Sequence, residues 1–81
     1  MWKEVDNHLE KSFKLKDFKQ AMAFLQLIAF EAEALNHHPD IHNEYNKVDI
    51  QLSTHSEGNK VTEKDRELSK KIDAVFTLFS K

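Results

Sequence analysis

The sequence predicts an α+β domain with a four-stranded antiparallel sheet and two main helices, in the order β-β-α-β-β-α. Two stretches carry the apolar spacing of helices, and two short stretches with strand-like alternation precede each of them. No parallel crossover is needed to connect these elements, and hairpin connections indicate antiparallel strands. The length of 81 residues fits one small domain, which we predict over residues 1–81.

The composition is that of an ordinary globular protein and argues against several functional classes. Hydrophobic residues make up 40% and charged residues 32% of the chain, and the net charge is −2. A nucleic-acid-binding domain would show a basic face, so we predict no direct contact with nucleic acid. No apolar run reaches the roughly 20 residues that cross a bilayer, and no signal-peptide pattern is present. We therefore predict no membrane contact and a cytoplasmic location.

The first half of the chain predicts two strands and a long helix. Residues 9–15 alternate apolar and polar with partial regularity, as a half-buried strand does, and residues 2–5 would pair with it as a short edge strand. Asp17 is a good N-cap, and Gln20 stands three residues later, as a capping box requires. Pro39 limits the helix, because the residue before a proline is pushed out of helical geometry.

This first helix is apolar nearly all round. Between Ala21 and Phe30 only Gln26 is polar, so the helix needs cover on more than one face. One sheet covers one face, and little chain remains to cover the other. We predict that a second copy packs there, giving a homodimer or homotetramer through the first helix and a sheet edge. The alternative is a deep core within one monomer.

The second half predicts a hairpin followed by a helix. Residues 41–45 and 48–54 read as two strands, and Asn46-Lys47 as a two-residue turn between them. This register sets Ile41 opposite Leu52 and, carried outward, His38 opposite His55. A second helix is predicted from Thr62, with Asp65 in the capping-box position and an apolar stripe that runs through Leu68, Ile72, Val75, Phe76 and Phe79.

Three histidines fall where such a hairpin would bring them together: His37, His38 and His55. The unperturbed pKa of imidazole, about 6.5, allows it to donate and accept protons near neutral pH. Two neutral imidazoles at that spacing can share a ligand, and together they supply both halves of general acid–base catalysis. Glu33 precedes His37 by one helical turn and is placed to accept a ring N–H and fix a tautomer.

Other interpretations of these histidines remain open. Histidines at a helix end favour the negative pole of the helix dipole, which would be a structural role alone. A zinc site with His42 as a further ligand is the second alternative. Against it, His37 and His38 are adjacent, and neighbouring strand residues point to opposite faces, so we predict no metal. With no cysteine, no serine in a nucleophile turn and a single glycine, nucleophilic catalysis and a phosphate-binding loop are not predicted.

The same residues carry a family resemblance. Glu-Ala-Leu-Asn-His-His-Pro at 33–39, Tyr-Asn-Lys-Val at 45–48 and Leu-Ser-Thr-His at 52–55, followed by Asp65, resemble the signature of pterin-4a-carbinolamine dehydratases. These proteins are also known as dimerisation cofactors of a homeodomain transcription factor. The resemblance extends over residues 2–76. It implies a four-stranded antiparallel sheet with helices on one side, dimers or tetramers, and no metal or organic cofactor.

The resemblance also implies a reaction. Family members dehydrate 4a-hydroxytetrahydropterin, the product of aromatic amino-acid hydroxylases, to quinonoid dihydropterin in tetrahydrobiopterin-type recycling. By position, His37 and His55 would be the acid–base histidines, and His38 would bind the pterin. Three further residues would contact the substrate or orient the site: Glu33, Thr54 and Asp65.

Two points weigh on these implied roles. Asp65 has a plain alternative as a helix cap, which contributes about 1 kcal/mol of stability. The family often has an arginine before this aspartate, where this chain has Lys64.

A second function comes from a different class. Relatives act as coactivators or assembly factors, so the chain is alternatively a protein-binding module that uses its apolar helix. The histidines would be irrelevant to that role. Because His37, His38 and His55 are all present, we favour the enzyme, a hydro-lyase acting on a pterin.

Overall fold

The computed structural model describes residues 1–79 and contains one four-stranded sheet and two α-helices. The elements are β1 (Lys3–Val5), β2 (His8–Lys14), α1 (Phe18–Leu35), β3 (Asp40–Glu44), β4 (Lys47–Leu52) and α2 (Glu63–Phe76), with a short 3₁₀ helix at His55–Glu57. Neighbouring strands are antiparallel, and their order across the sheet is β1-β2-β4-β3. The predicted fold class and element order are confirmed.

Both helices pack on the same face of the sheet. Strand side chains alternate between this face and solvent, so β4 buries every second residue and β2 buries Leu9 and Phe13. The inward strand residues meet the apolar stripes of the two helices in one core, whose largest fully buried side chains are Phe24, Ile28, Val48, Ile50, Leu52, Leu68 and Ile72. The opposite face of the sheet carries polar side chains and remains uncovered in the single chain.

The ends of α1 follow from single residues. The Asp17 side chain accepts a hydrogen bond from the Gln20 backbone N–H at 2.8 Å, which caps the start as predicted. The helix ends at Leu35, four residues before Pro39, because Asn36 adopts the left-handed conformation with φ of 51°. The backbone N–H of His37 then donates to the Ala32 carbonyl at 3.0 Å, which completes a Schellman motif.

The hairpin between β3 and β4 differs from the predicted register. Its turn residues are Tyr45 and Asn46, not Asn46 and Lys47, and Ile41 pairs with Ile50 instead of Leu52. Tyr45 enters the turn with φ of 52°, a conformation that few residues other than glycine and asparagine adopt, so its residue type does not predict this turn. Because the partner changes by two positions, each side chain keeps its predicted face.

One side of α1 stays uncovered in the single chain. Ala21, Phe24, Ile28 and Ala32 are buried against the sheet and α2. Phe30 is 69% exposed and Phe18 is 48% exposed, so a single copy does not form the deep core that was the alternative. Within residues 1–79, no helix combines the length and the apolar character needed to cross a membrane.

Candidate active site

His37, His38 and His55 line one cavity at the end of the sheet where β3 begins and β4 ends. The cavity measures about 340 Å³, and we call it the histidine cavity. Its lining residues are Asn36, His37, His38, Ser53, Thr54, His55, Ser56 and Lys64. The wall therefore comes from the segment after α1, the segment after β4 and the first turn of α2.

The backbone at His37 is fixed by the way α1 ends. Asn36 occupies the left-handed position of the Schellman motif, and His37 is the residue whose N–H closes it. The chain leaves the helix at a sharp angle at this point, and the His37 side chain points toward the start of α2. Only 10% of that side chain is exposed.

His55 is held by a tight loop that follows β4. The 3₁₀ turn begins at His55, and Gly58 ends it in the left-handed conformation with its N–H on the His55 carbonyl at 3.1 Å. The loop is closed at its base, because the Thr54 backbone N–H donates to the Lys60 carbonyl at 2.9 Å. The Nδ1 atom of His55 contacts the side-chain oxygen of Asn59. This contact leaves Nε2 as the ring nitrogen available to a ligand.

A buried carboxylate connects His37 to the segment that carries His55. Asp65 is fully buried, and its Oδ1 lies 2.5 Å from Nε2 of His37. Its Oδ2 accepts hydrogen bonds from the Thr54 hydroxyl and the Thr62 backbone N–H, each at 2.8 Å. A carboxylate accepts only, so Nε2 of His37 carries the shared proton and Nδ1 is the nitrogen left for a ligand. Asp65 thus both caps α2 and orients an imidazole.

His38 has a different partner from His37. Its Nε2 lies 2.8 Å from Oε1 of Glu33, and both side chains are largely exposed. An exposed pair of this kind contributes little to stability. It does restrict the rotation of the His38 imidazole in the cavity wall. Glu33 accepts the ring N–H of His38, whereas its predicted neighbour His37 is bound by Asp65.

The structure separates the predicted site residues into two groups. His37, His38, Thr54 and His55 line the cavity, and Asp65 and Glu33 stand behind them as hydrogen-bond partners. Lys64 adds a positive charge to the wall. The residues that the sequence analysis did not single out are Asn36, Ser53 and Ser56. Each flanks a predicted histidine or Thr54, and that adjacency was the only available signal.

The arrangement suits proton transfer to and from a small ring. Three imidazoles line one cavity, and the hydrogen bond of His37 to Asp65 leaves Nδ1 as the acceptor of its neutral ring. Across residues 1–79, no group of three or more histidine, aspartate or glutamate side chains is placed to hold a metal ion. The Thr54 and serine hydroxyls and the Lys64 ammonium add hydrogen-bonding capacity to the wall.

Comparison with models of known protein families shows to which family this chain belongs. The profile of the family "Pterin 4 alpha carbinolamine dehydratase" matches residues 1–75, nearly the whole chain. This chain belongs to the pterin-4a-carbinolamine dehydratase family. The resemblance found in the sequence is therefore confirmed.

Similar members of the pterin-4a-carbinolamine dehydratase family come from bacteria and archaea. A protein of Opitutus terrae, named provisionally as such a dehydratase, is 45% identical over 74 residues, covering 91% of this chain and 76% of its own. A protein of Sulfolobus acidocaldarius with the same provisional name is 47% identical over 74 residues, covering 91% and 80%.

Two solved structures have the same fold as this chain. The crystal structure of a transcriptional coactivator/pterin dehydratase from Brucella melitensis superposes with a TM-score of 0.87 at 46% identity, covering 91% of this chain and 80% of that one. A pterin dehydratase-like protein identified as a RuBisCO assembly factor in the α-carboxysome gives a TM-score of 0.74 at 26% identity, covering 93% and 86%. Both an enzymatic and an assembly role are thus attached to the fold.

Proposed function

We propose that this protein dehydrates 4a-hydroxytetrahydropterin to quinonoid dihydropterin by histidine general acid–base catalysis. One observation supports this most strongly: His37, His38 and His55 line a single cavity, and a buried carboxylate holds His37 in one tautomer. The reaction removes a proton from N5 and a hydroxide from C4a, forms the N5–C4a double bond and releases water. It needs one proton acceptor and one proton donor on neighbouring substrate atoms, which a pair of imidazoles supplies.

Within this proposal, His37 and His55 divide the two proton transfers. One imidazole enters the reaction neutral and takes the N5 proton, and the other enters protonated and gives its proton to the departing hydroxyl. The protonation states reverse in each turnover and are restored by solvent. Asp65 stabilises the position of His37 in both states, because its other oxygen is anchored by Thr54 and Thr62.

The remaining residues bind and orient the substrate. His38, held by Glu33, and the hydroxyl of Thr54 or its backbone would contact the pterin ring, which is rich in donors and acceptors. Neither a metal nor an organic cofactor has a role in this scheme. The proposed setting is the cytoplasm, with a pterin as the small-molecule partner.

The direct test follows the decay of the 4a-carbinolamine in the ultraviolet. Because the carbinolamine also loses water unaided, rates are compared with and without protein over a range of protein concentrations. We expect the observed rate to rise in proportion to the protein and to saturate with substrate. A rate that does not depend on protein concentration would leave only a binding function for this fold.

A non-catalytic assembly role is the second candidate, and one observation favours it. The side of α1 that faces away from the core exposes Phe18, Met22, Leu27 and Phe30, which gives a partner protein an apolar surface. The relative named as a RuBisCO assembly factor shares the fold. The two roles are separable, because the exposed side of α1 and the histidine cavity use different residues.

We further propose that a second copy of this chain covers the exposed side of α1. An antiparallel contact between two α1 helices centred near residue 24 would bring Phe18 of one copy close to Phe30 of the other. The edge strands β1 and β3 have unpaired backbone groups for the further contact that a tetramer requires.

Light scattering on purified protein tests this contact. We expect Phe30→Glu to lower the assembled mass by at least half at a concentration where the unchanged protein is fully assembled. Leu78→Glu is the matched control, because Leu78 is 63% exposed and lies outside α1. An unchanged mass in Phe30→Glu, or a monomeric starting protein, would rule the α1 contact out.

A further inference from the structure

The His55 side chain is held differently from that of His37. His37 is packed between elements, with only 10% of its side chain exposed, and its ring is bound by the buried carboxylate of Asp65. His55 lies in a loop of exposed residues, so packing restricts its ring little. In the part of the chain that the structure describes, the one hydrogen bond of the His55 ring joins Nδ1 to Oδ1 of Asn59. The orientation of this imidazole therefore depends on Asn59.

The backbone of the loop fixes the position of Asn59. Gly58 and Asn59 are consecutive left-handed residues with φ of 80° and 58°, and they turn the chain back toward His55. The Asn59 backbone N–H donates to the Thr54 carbonyl at 3.1 Å. Thr54 is itself buried, and its hydroxyl donates to Asp65. The loop is thus anchored on a buried residue, and Asn59 has a defined position relative to His55.

The residue type at position 59 meets two requirements at once. A left-handed backbone is adopted mostly by glycine and, among residues with side chains, by asparagine and aspartate. A glycine would satisfy the backbone alone and would give the imidazole no partner. Asparagine also supplies a short side chain whose neutral acceptor reaches Nδ1 of His55. The same residue therefore closes the loop and contacts the ring.

The contact with Asn59 decides which nitrogen of His55 carries the proton. The amide oxygen only accepts, so Nδ1 of His55 donates and Nε2 of the neutral ring is left as an acceptor. Asp65 has the corresponding effect on His37, whose Nδ1 is left as the acceptor. With both tautomers fixed, neutral rings offer acceptors alone, and the proton donor must be an imidazolium. This requirement agrees with the proposed scheme, in which one imidazole enters the reaction protonated.

We propose that Asn59 is a positioning residue for His55, which fixes the orientation and the tautomer of this imidazole for proton transfer. The inference rests on the proposed function, which gives His55 its role in the reaction. Asn59 does not line the histidine cavity, so it acts through His55 and not on the reacting atoms. The competing interpretation is that the contact only stabilises the loop, and it predicts unaltered turnover whenever the loop is folded.

NMR spectroscopy of isotope-labelled ring nitrogens measures the tautomer without any substrate. The chain has five histidines, and the signals of His55 are identified by their loss in His55→Ala. At about pH 8, where an unperturbed imidazole is neutral, we expect the proton on Nδ1 of His55 in the unchanged protein. Asn59→Gly should let the proton distribute over both nitrogens, whereas Asn59→Asp should keep it on Nδ1 because an acceptor is retained. A proton on Nε2 of His55 in the unchanged protein would overturn the proposal.

Turnover separates positioning of His55 from stability of the loop. Asn59→Gly allows the left-handed backbone and removes the acceptor, so we expect kcat to fall about tenfold while KM stays within about twofold. Asn59→Asp should restore kcat to within about threefold of the unchanged protein, since aspartate also adopts this conformation. Glu57→Gly is the matched control, because it adds a glycine to the same loop and Glu57 lies outside the histidine cavity. Its kcat should stay within about twofold of the unchanged protein.

The two proposals fail in different ways. Equal kcat values in Asn59→Gly and Glu57→Gly would reduce the Asn59 contact to loop stability and leave the dehydratase intact. The same conclusion follows if Asn59→Gly keeps the His55 tautomer of the unchanged protein. Absence of turnover by the unchanged protein would overturn the dehydratase and, with it, the role of Asn59 in proton transfer. Urea unfolding of each variant, followed by circular dichroism, establishes that a lowered kcat comes from folded protein.

Discussion

Replacing His37 or His55 by alanine is expected to lower kcat/KM for carbinolamine dehydration by at least about a hundredfold, the scale of one general acid or base. Both imidazoles line the histidine cavity, and each variant removes one of the two groups that move protons. The double variant should be little worse than either single variant, because residues that act as a unit lose their effect together. Rates are measured by ultraviolet decay of the carbinolamine.

His42→Ala is the matched control for these variants. His42 lies in β3 with its partner Asp49 on the uncovered sheet face, and it does not line the histidine cavity. Its turnover should stay within about twofold of the unchanged protein, as expected for a residue that takes no part in proton transfer. Full turnover in both His37→Ala and His55→Ala would mean that the imidazoles do not carry the reaction.

The second large effect is expected at Asp65, in stability as well as in turnover. Asp65→Ala leaves a buried space and removes the acceptor used by His37, Thr54 and the Thr62 backbone. Breaking a buried polar network of this kind costs about 3 kcal/mol of the free energy of unfolding. Urea unfolding followed by circular dichroism measures this loss. Turnover of the folded fraction should fall as well, since His37 loses its orienting partner.

Two further variants separate capping from orientation of His37. Asp65→Asn keeps the shape of the side chain but places an amide donor or a neutral acceptor against His37, so the tautomer is no longer fixed. We expect it to unfold at slightly lower urea concentration and to lose at least about tenfold in kcat. Thr62→Ala removes the hydroxyl contact to Thr54 but not the Asp65–His37 bond. If Thr62→Ala and Asp65→Asn lower kcat equally, Asp65 is a helix cap and nothing more.

Hydrophobic periodicity predicted the elements of this fold because each element buries one face. The 3.6-residue spacing in α1 and α2 and the alternation in β2 and β4 all point at the same core, so their positions could be read from the sequence. The hairpin register was missed by two residues. Tyr45 adopts a left-handed turn conformation that is not expected from its residue type. The geometry of the turn, more than the pattern of the strands, sets the hairpin register.

The sequence analysis grouped the histidines in one site, but the strand pairing that it expected to bring them together does not occur. We expected His38 and His55 to face each other across the ladder, yet β3 begins at Asp40 and β4 ends at Leu52. The histidines reach the cavity through the loop after α1 and the 3₁₀ turn after β4 instead. The course of such loops depends on a few residues in the left-handed conformation, which are Asn36 and Gly58 in this chain. The pattern of apolar residues does not predict where such residues occur.

Sequence spacing alone also could not predict which carboxylate contacts which histidine. Glu33 lies one turn before His37, and helical geometry favours a contact between them. The Schellman turn instead brings His38 to Glu33 and directs His37 to Asp65, 28 residues away in sequence. A tertiary contact of this length depends on how α1 and α2 pack together, and no local rule predicts it.

The structure of the protein with bound 7,8-dihydropterin tests the central claim most directly. The account predicts that the ring lies in the histidine cavity, with Nδ1 of His37 and Nε2 of His55 within roughly 2.6–3.2 Å of ring atoms or of one bridging water. A ring bound elsewhere on the chain would contradict it. So would a histidine cavity that stays empty at saturating ligand, with the two imidazoles turned away from one another.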